Sequence, residues 1–146
     1  MNSLKKSLNV LCLLLLTASA FAQTHEVLMK NRGSAGPMVY EPDYLEIQPG
    51  DTVKFIRKHK SHNAASIAEL SPAGYPGFIG KIDEEIAVKY DNAGFYGIKC
   101  TPHYAQGMVM LIKVGNATLP DSYRAFTAPG IANKRFQDIY SRIDKQ

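Results

Sequence analysis

Three residue types that bind transition metals occur together within nine residues of the chain. Cys100, His103 and Met108 stand in the spacing C-x2-H-x4-M. Sulfur ligands suit Cu(I), and imidazole suits copper in both oxidation states. Two histidines and one cysteine in a trigonal set, with a weak axial methionine, are typical of a blue-copper electron-transfer site. This segment would supply three of the four ligands, so the sequence predicts a second histidine from elsewhere in the chain.

The other three histidines are the candidates for that position. His25 lies near the predicted start of the mature chain, where order is often low. His59 stands between two lysines, which favours a solvated position. His62 is followed by Asn63, a small polar residue that can link two loops. We therefore favour His62 over His59 as the fourth ligand.

Two other functions remain open at this point. Cys100 and His103 could be the nucleophile and base of an enzyme, but such a pair needs an orienting third group, and Met108 would have no role there. A periplasmic copper carrier or storage protein is the second alternative, although such proteins need open, exchangeable sites. Four protein ligands leave no open position for a substrate. The spacing thus favours a one-electron carrier that is not an enzyme.

The first 22 residues are typical of a secretory signal peptide. Lys5 and Lys6 precede an apolar run over residues 8–17, and Ala20 and Ala22 have the small side chains of a cleavage site. The run is shorter than the roughly 20 residues that a membrane-spanning helix needs. We predict cleavage after Ala22 and export to the periplasm, with no membrane attachment afterwards. Residues 23–146 would then form one domain, with Cys100 as its single cysteine.

Composition excludes several classes of protein. The chain has 146 residues, of which 45% are hydrophobic and 21% charged, as in ordinary globular domains. Its formal net charge is +4, and loss of Lys5 and Lys6 would leave +2. Nucleic-acid-binding domains usually carry a much stronger basic patch, so we expect no nucleic-acid partner.

Short alternating segments separated by turns predict a mainly β domain. Residues 52–56 alternate, with Val53 and Phe55 on one face, and residues 48–51 before them form a Gln-Pro-Gly-Asp turn. Such a pattern is typical of a sandwich or barrel. The predicted strands are residues 26–29, 44–47, 52–56, 86–90, 95–100 and 109–114, and residues 71–80 are predicted to be a loop.

The last 31 residues, 116–146, differ from the rest of the chain and predict two short helices. Pro120 would lie in the first turn of one helix, since proline is tolerated there. The second would begin after the Ala-Pro-Gly sequence of residues 128–130. Its apolar residues recur at helical spacing, which predicts one face packed against the sandwich. They are Ala132, Phe136, Ile139, Tyr140 and Ile143.

Several segments together resemble the cupredoxins and, among them, the pseudoazurins. They are residues 96–103, Gly107-Met108, residues 38–42, residues 48–53 and His62-Asn63. The resemblance covers nearly the whole predicted mature chain, including the helical tail. It implies a Greek-key β-sandwich of about eight strands with two C-terminal helices. It also implies one copper ion held equatorially by His62, Cys100 and His103 and axially by Met108. Gln106 departs from the methionine that pseudoazurins often carry there.

The same resemblance implies the surroundings of the copper and the partners. The backbone N–H of Asn63 would donate to the sulfur of Cys100. Met38 and Pro102 would form an apolar patch around the His103 ring. Basic residues would ring that patch and attract acidic redox partners, namely a copper nitrite reductase or related respiratory enzyme and a c-type cytochrome. The matching lysines are Lys60 and Lys99, with Arg32, Lys58 and Lys81 as further candidates. We expect the carrier to be monomeric.

Overall fold

Eight strands and two helices follow one another along the chain in the computed structural model, which describes residues 21–146. The predicted signal peptide lies outside the described residues except for its last two, residues 21 and 22. The strands are β1 (Thr24–Gly33), β2 (Gly36–Glu41), β3 (Tyr44–Ile47), β4 (Asp51–Arg57), β5 (Ala65–Ser66), β6 (Ile86–Tyr90), β7 (Gly94–Lys99) and β8 (Val109–Val114). The helices are α1 (Asp121–Ala125) and α2 (Ile131–Ile143), and a 3-10 turn covers Ala68–Leu70.

The strands form two four-stranded sheets, in the orders β2-β1-β4-β6 and β3-β8-β7-β5. The β1–β4 and β3–β8 pairs are parallel and the others are antiparallel. Alternate side chains of each sheet point inward, so Val53 and Phe55 of β4 are fully buried in one core cluster with Ile98, Met110 and Ile112 of the other sheet. The predicted mainly β sandwich with two C-terminal helices is confirmed.

Two strands were absent from the sequence prediction. β2 contains Gly36 and Pro37, which usually mark turns, and Met38 within it has a positive φ of 52°. It is an edge strand, where proline is tolerated because half of the backbone groups face away from the sheet. β5 has two residues, too few for an alternating pattern. Both strands exist because neighbouring strands pair with them.

The C-terminal helices cover the outer face of the sheet that contains β8. Ala132, Phe136 and Ile139 of α2 are at most 2% exposed and share a second core cluster with Leu111 of β8. The first helix begins at Asp121, so Pro120 precedes it in an extended conformation instead of lying in its first turn. No helix within residues 21–146 is long and apolar enough to cross a membrane.

Strand pairing between β5 and β7 brings two distant segments together. Ala65 lies opposite Lys99 and Ser66 opposite Ile98 in this antiparallel pair. Continuing the register past the end of each strand places residues 62–64 beside residues 100–102. The segment before β5 and the loop after β7 therefore meet at one end of the sandwich.

Candidate metal centre

The loop between β7 and β8 is a compact, hydrogen-bonded turn. The backbone N–H of Cys100 donates to the carbonyl of Met108 (2.9 Å), which closes the loop at its base. The backbone N–H groups of Gln106 and Met108 both donate to the carbonyl of His103 (3.1 Å each). Cys100 and Met108 are fully buried members of the same core cluster. The loop thus presents three metal-binding side chains from a backbone that is held at both ends.

His62 reaches the same place from the segment that precedes β5. Its backbone carbonyl accepts a hydrogen bond from the N–H of Asp83 (2.8 Å), and the Asp83 carboxylate accepts one from the N–H of Ser61 (2.7 Å). Ser61 has a positive φ of 74°, which redirects the chain just before the histidine. The His62 side chain is completely buried.

Three donor atoms meet at this end of the sandwich. His62 Nδ1 and His103 Nδ1 are 3.1 Å apart, and Cys100 Sγ lies 3.8 Å from the first and 3.6 Å from the second. A point equidistant from the three atoms lies about 2.0 Å from each, close to the roughly 2.0–2.3 Å of metal bonds to imidazole nitrogen and thiolate sulfur. The donor set therefore fits one small transition-metal ion without rearrangement.

The other histidines lie elsewhere. His59 is exposed, and its Nδ1 accepts a hydrogen bond from the backbone N–H of Asn31 (3.0 Å). His25 pairs through Nε2 with the buried carboxylate of Asp51 (2.9 Å). The group of His62, Cys100 and His103 contains neither of them.

Asn63 joins the two segments that carry the donors. Its side-chain Nδ2 donates to the carbonyl of Gly80 (2.9 Å) and lies 3.0 Å from Thr101 Oγ1, while its Oδ1 accepts from the backbone N–H of Thr101 (2.7 Å). Its own carbonyl accepts from the hydroxyl of Tyr40 (2.6 Å). Asn63 is 3% exposed, and its bonds to Gly80 and Tyr40 are buried, whereas those to the exposed Thr101 are partly buried. The side chain that follows His62 thus clamps it to the residue that follows Cys100.

Asn31 orients the His62 ring, a role that the sequence gave no reason to expect. Its Oδ1 lies 2.8 Å from His62 Nε2. Because an amide oxygen accepts hydrogen bonds, Nε2 must carry the proton and Nδ1 must keep its lone pair. A ligating histidine characteristically donates its second N–H in this way. The bond is made across 31 positions of the chain and no local motif marks it.

Burial shifts the pKa values of two of the three donors. It lowers the pKa of His62, and the neighbouring His103 lowers it further, so the ring is neutral over a wider pH range. Burial also raises the pKa of the Cys100 thiol, while the backbone N–H groups of Asn63 and His103 oppose that rise because they favour the thiolate. The neutral thiol is therefore favoured over the thiolate more than it is in a free cysteine, and a bound cation would favour the thiolate.

One edge of the site reaches the surface. His103 is half-buried, and Pro102 beside it is exposed. Met38 is also half-buried and packs against the core cluster that contains Cys100. Lys60 is exposed, whereas Lys99 is half-buried with its Nζ 5.1 Å from the centre of the Tyr104 ring. The other basic residues considered for partner docking, Arg32, Lys58 and Lys81, are all exposed.

Comparison with known proteins gives consistent results. Residues 27–115 match the family model for copper binding proteins, plastocyanin/azurin family. The chain is 47% identical to pseudoazurin of Paracoccus pantotrophus over 105 residues, which cover 72% of each protein. It is 44% identical to a putative pseudoazurin of Rhizobium leguminosarum bv. viciae over 127 residues, 86% of this chain and 84% of that protein.

Solved structures agree with these relatives. Native pseudoazurin from Hyphomicrobium denitrificans superposes with a TM-score of 0.77 at 38% identity, covering 82% of this chain and 97% of that one. Pseudoazurin from Methylobacterium extorquens AM1 has a TM-score of 0.78 at 33% identity, covering 82% and 98%. In both cases nearly the whole of the solved chain is matched.

Proposed function

The chain belongs to the plastocyanin/azurin family of copper-binding proteins, and within it to the pseudoazurins, and from this membership we infer that it is a blue-copper electron carrier with one copper ion. We propose that His62, Cys100 and His103 are the equatorial ligands of that copper and that Met108 is the axial ligand. We further propose that the protein works in the periplasm, where it donates electrons to a copper nitrite reductase or related respiratory enzyme.

The convergence of His62 Nδ1, His103 Nδ1 and Cys100 Sγ at 3.1–3.8 Å is the observation that carries the ligand assignment. These atoms come from two segments that are about 40 residues apart in the chain, and each lies within 3.8 Å of the other two. Met108 supports the assignment through its complete burial in the core cluster that contains Cys100.

The surrounding residues prepare the donor atoms for a metal. Bound copper supplies a one-electron couple between Cu(II) and Cu(I). Asn31 holds the proton of His62 on Nε2, which leaves Nδ1 free to bind. Cys100 gives up its proton when the cation binds, and the N–H groups of Asn63 and His103 stabilise the resulting thiolate.

Rigidity suits these residues to electron transfer. Asn63 links the His62 segment to Thr101, and the hydrogen bond from Cys100 N–H to the Met108 carbonyl closes the loop. Donor atoms held in this way would keep one arrangement in both oxidation states of the copper, so the reorganisation on electron transfer would be small. Burial of three of the four proposed ligands, His62, Cys100 and Met108, also argues against a copper carrier, which would need an exchangeable site.

His103 is the proposed route for the electron. His62 and Cys100 are fully buried, whereas the His103 ring is half-buried beside the exposed Pro102. A partner that covers Pro102 and Met38 would approach this ring at contact distance. Lys60 and Lys99 would attract acidic partners to that patch and speed their encounter. A c-type cytochrome is a second partner of suitable chemistry.

The proposed location depends on the first 22 residues. Their basic start, short apolar run and small residues at 20 and 22 support export and cleavage. N-terminal sequencing of the protein recovered from a periplasmic extract tests this proposal, with Gln23 as the expected first residue. Recovery of the intact chain from the cytoplasm would contradict it.

An absorption spectrum of the oxidised, copper-loaded protein tests the ligand assignment. We expect an intense red-region band from charge transfer between the Cys100 thiolate and Cu(II), and its loss in Cys100→Ala. His62→Ala should alter or abolish the band, whereas the matched variant His25→Ala should leave it unchanged because the His25 ring pairs with Asp51 and not with Asn31 or a donor residue. An undiminished band in Cys100→Ala would remove that residue from the site.

A further inference from the structure

Arg135 of α2 makes contacts that the sequence pattern of the helix does not explain. Its Nη1 donates to the carbonyls of Met38 (2.6 Å) and Gly107 (2.9 Å), and its Nη2 donates to the carbonyl of Pro37 (2.6 Å). These partners lie 28 to 98 positions away in the chain. One side chain therefore joins three parts of the molecule: α2, the β1–β2 hairpin that carries Met38, and the loop that carries the proposed copper ligands.

The chemistry of the guanidinium makes this junction specific. Arg135 is half-buried, and within residues 21–146 it is bonded to main-chain carbonyls and to no carboxylate. Burying part of a charge is unfavourable unless hydrogen bonds compensate for it. The planar guanidinium presents five donors in a fixed fork, so it holds several carbonyls at set positions, whereas a lysine ammonium is a flexible point charge.

Both segments held by Arg135 have unusual backbone conformations. Met38 has a φ of 52°, which is unfavourable for a residue with a side chain and persists where the surroundings impose it. Gly107 has a φ of 95°, and a Cβ at this position would lie 2.9 Å from Arg135 Nε. Glycine is thus required directly before Met108 both by its φ and by the close approach of Arg135.

A second contact joins α2 to the same loop. The backbone N–H of Ile131, the first residue of the helix, donates to the carbonyl of Ala105 (2.9 Å). Together with the Arg135–Gly107 bond, it attaches α2 to the loop at two carbonyls that are two residues apart. The helix therefore contacts the loop of residues 100–108 directly, in addition to packing on β8.

We propose that Arg135 is a positioning residue that holds the copper loop, residues 100–108, against the Met38 hairpin and so sets the placement of Met108. The effect on the copper rests on the proposed role of Met108 as axial ligand. By this device the apolar patch around Met38 and the metal site form one rigid unit, and the C-terminal extension contributes to the electron-transfer site.

The test compares two Arg135 variants with a control on the same helix. Arg135→Gln removes both the charge and the fork, while Arg135→Lys keeps the charge and loses the fork. The matched control is Arg142→Gln, because Arg142 also ties α2 to the β-sandwich, through Asp43 between β2 and β3 (2.8 Å), and its hydrogen bond is to that carboxylate and not to the copper loop. If Arg135→Gln does not fold, Arg135→Lys decides the outcome.

The first readout is amide hydrogen exchange in the metal-free protein, measured by NMR. The Met108 N–H, which donates to the His103 carbonyl, should exchange about tenfold faster or more in both Arg135 variants, as expected for loss of a charge-assisted hydrogen bond in a locally opening loop. The control should stay within about twofold of the parent. The second readout is the absorption and EPR spectrum of the copper-loaded protein, which should change in both Arg135 variants and not in the control.

Three results would overturn the inference. Parent-like exchange and spectra in Arg135→Lys would show that charge alone matters. Equal effects in Arg142→Gln would show that general docking of α2, and not the Arg135 junction, holds the loop. Unchanged exchange in both Arg135 variants would show that the loop holds itself. A parent protein without a blue band would instead count against the ligand assignment, which the exchange measurement does not depend on.

Discussion

Replacing Asn63 by alanine should destabilise the metal-free fold by about 2–4 kcal/mol. The side chain makes hydrogen bonds of 2.9 Å to Gly80 O, 3.0 Å to Thr101 Oγ1 and 2.7 Å from Thr101 N–H. Alanine would leave the Gly80 carbonyl and the Thr101 N–H without these partners. A buried polar group left without a hydrogen bond lowers the free energy of unfolding by about 1–3 kcal/mol. For the Thr101 N–H the loss should be near the lower end of that range because Thr101 is exposed to water.

Urea unfolding of metal-free protein comprising residues 23–146 measures this change, because bound metal would add its own stabilisation. The matched control is Asn92→Ala, which alters an exposed asparagine in a turn and should change stability by less than about 0.5 kcal/mol. Against a typical total of about 5–15 kcal/mol, the expected loss is large enough to shift the midpoint clearly. A loss in Asn63→Ala no greater than that of the control would refute the argument that this side chain clamps the two segments.

Three further predictions concern the potential, partner encounter and acid stability. Met108→Gln should keep copper but lower the reduction potential, because a harder oxygen donor favours Cu(II); voltammetry showing an equal or higher potential would count against an axial Met108. Lys60→Ala and Lys99→Ala should each slow electron transfer to a purified nitrite reductase at low salt. Stopped-flow rates of the variants and the parent should converge above about 0.1 M salt, where the screening length is about 10 Å. Parent-like rates at low salt would show that these charges do not attract the partner. Asp51 accepts hydrogen bonds from the backbone N–H groups of Gln23 (2.8 Å) and Gln48, and these bonds hold the pKa of its carboxyl group below the usual range. The carboxylate therefore stabilises the fold at pH values above its pKa in the unfolded chain, about 3.9. That stabilisation is lost as the pH falls through the lower pKa of the folded protein. Asp51→Asn should therefore flatten the acid limb of the stability curve obtained by urea unfolding between about pH 3 and pH 7, and an unchanged acid limb would exclude this carboxylate as its cause.

Local patterns predicted the parts of the fold that depend on neighbouring residues. The strands at residues 86–90 and 109–114 have the predicted bounds, and the second helix begins directly after Gly130 as expected. Alternation and helical spacing report which face of an element is apolar, and burial follows that face. The two missed strands, β2 and β5, lack such a pattern because one contains Gly36 and Pro37 and the other has two residues.

The metal-binding segment was readable for the same reason. Cys100, His103 and Met108 lie in one short loop, so their spacing alone brings their side chains together. Sequence reasoning could rank His62 above His59 from their neighbours, but their distances from Cys100 depend on strand pairing. The register that places Ala65 opposite Lys99 carries His62, and not His59, to the loop.

By itself the sequence determined the donor types, their order in the loop and the alternation that makes a sandwich. Only the tertiary structure decided that Nδ1 of His62 faces Nδ1 of His103, that Asn31 holds the His62 proton, and that Arg135 joins the helix to the loop and the Met38 hairpin. These contacts join residues that are 28 to 97 positions apart in the chain. Asparagine and arginine are also common on protein surfaces, so their residue types alone do not reveal these contacts. A long-range hydrogen bond depends on where two separate backbones are placed by packing, and that placement leaves no mark on local composition.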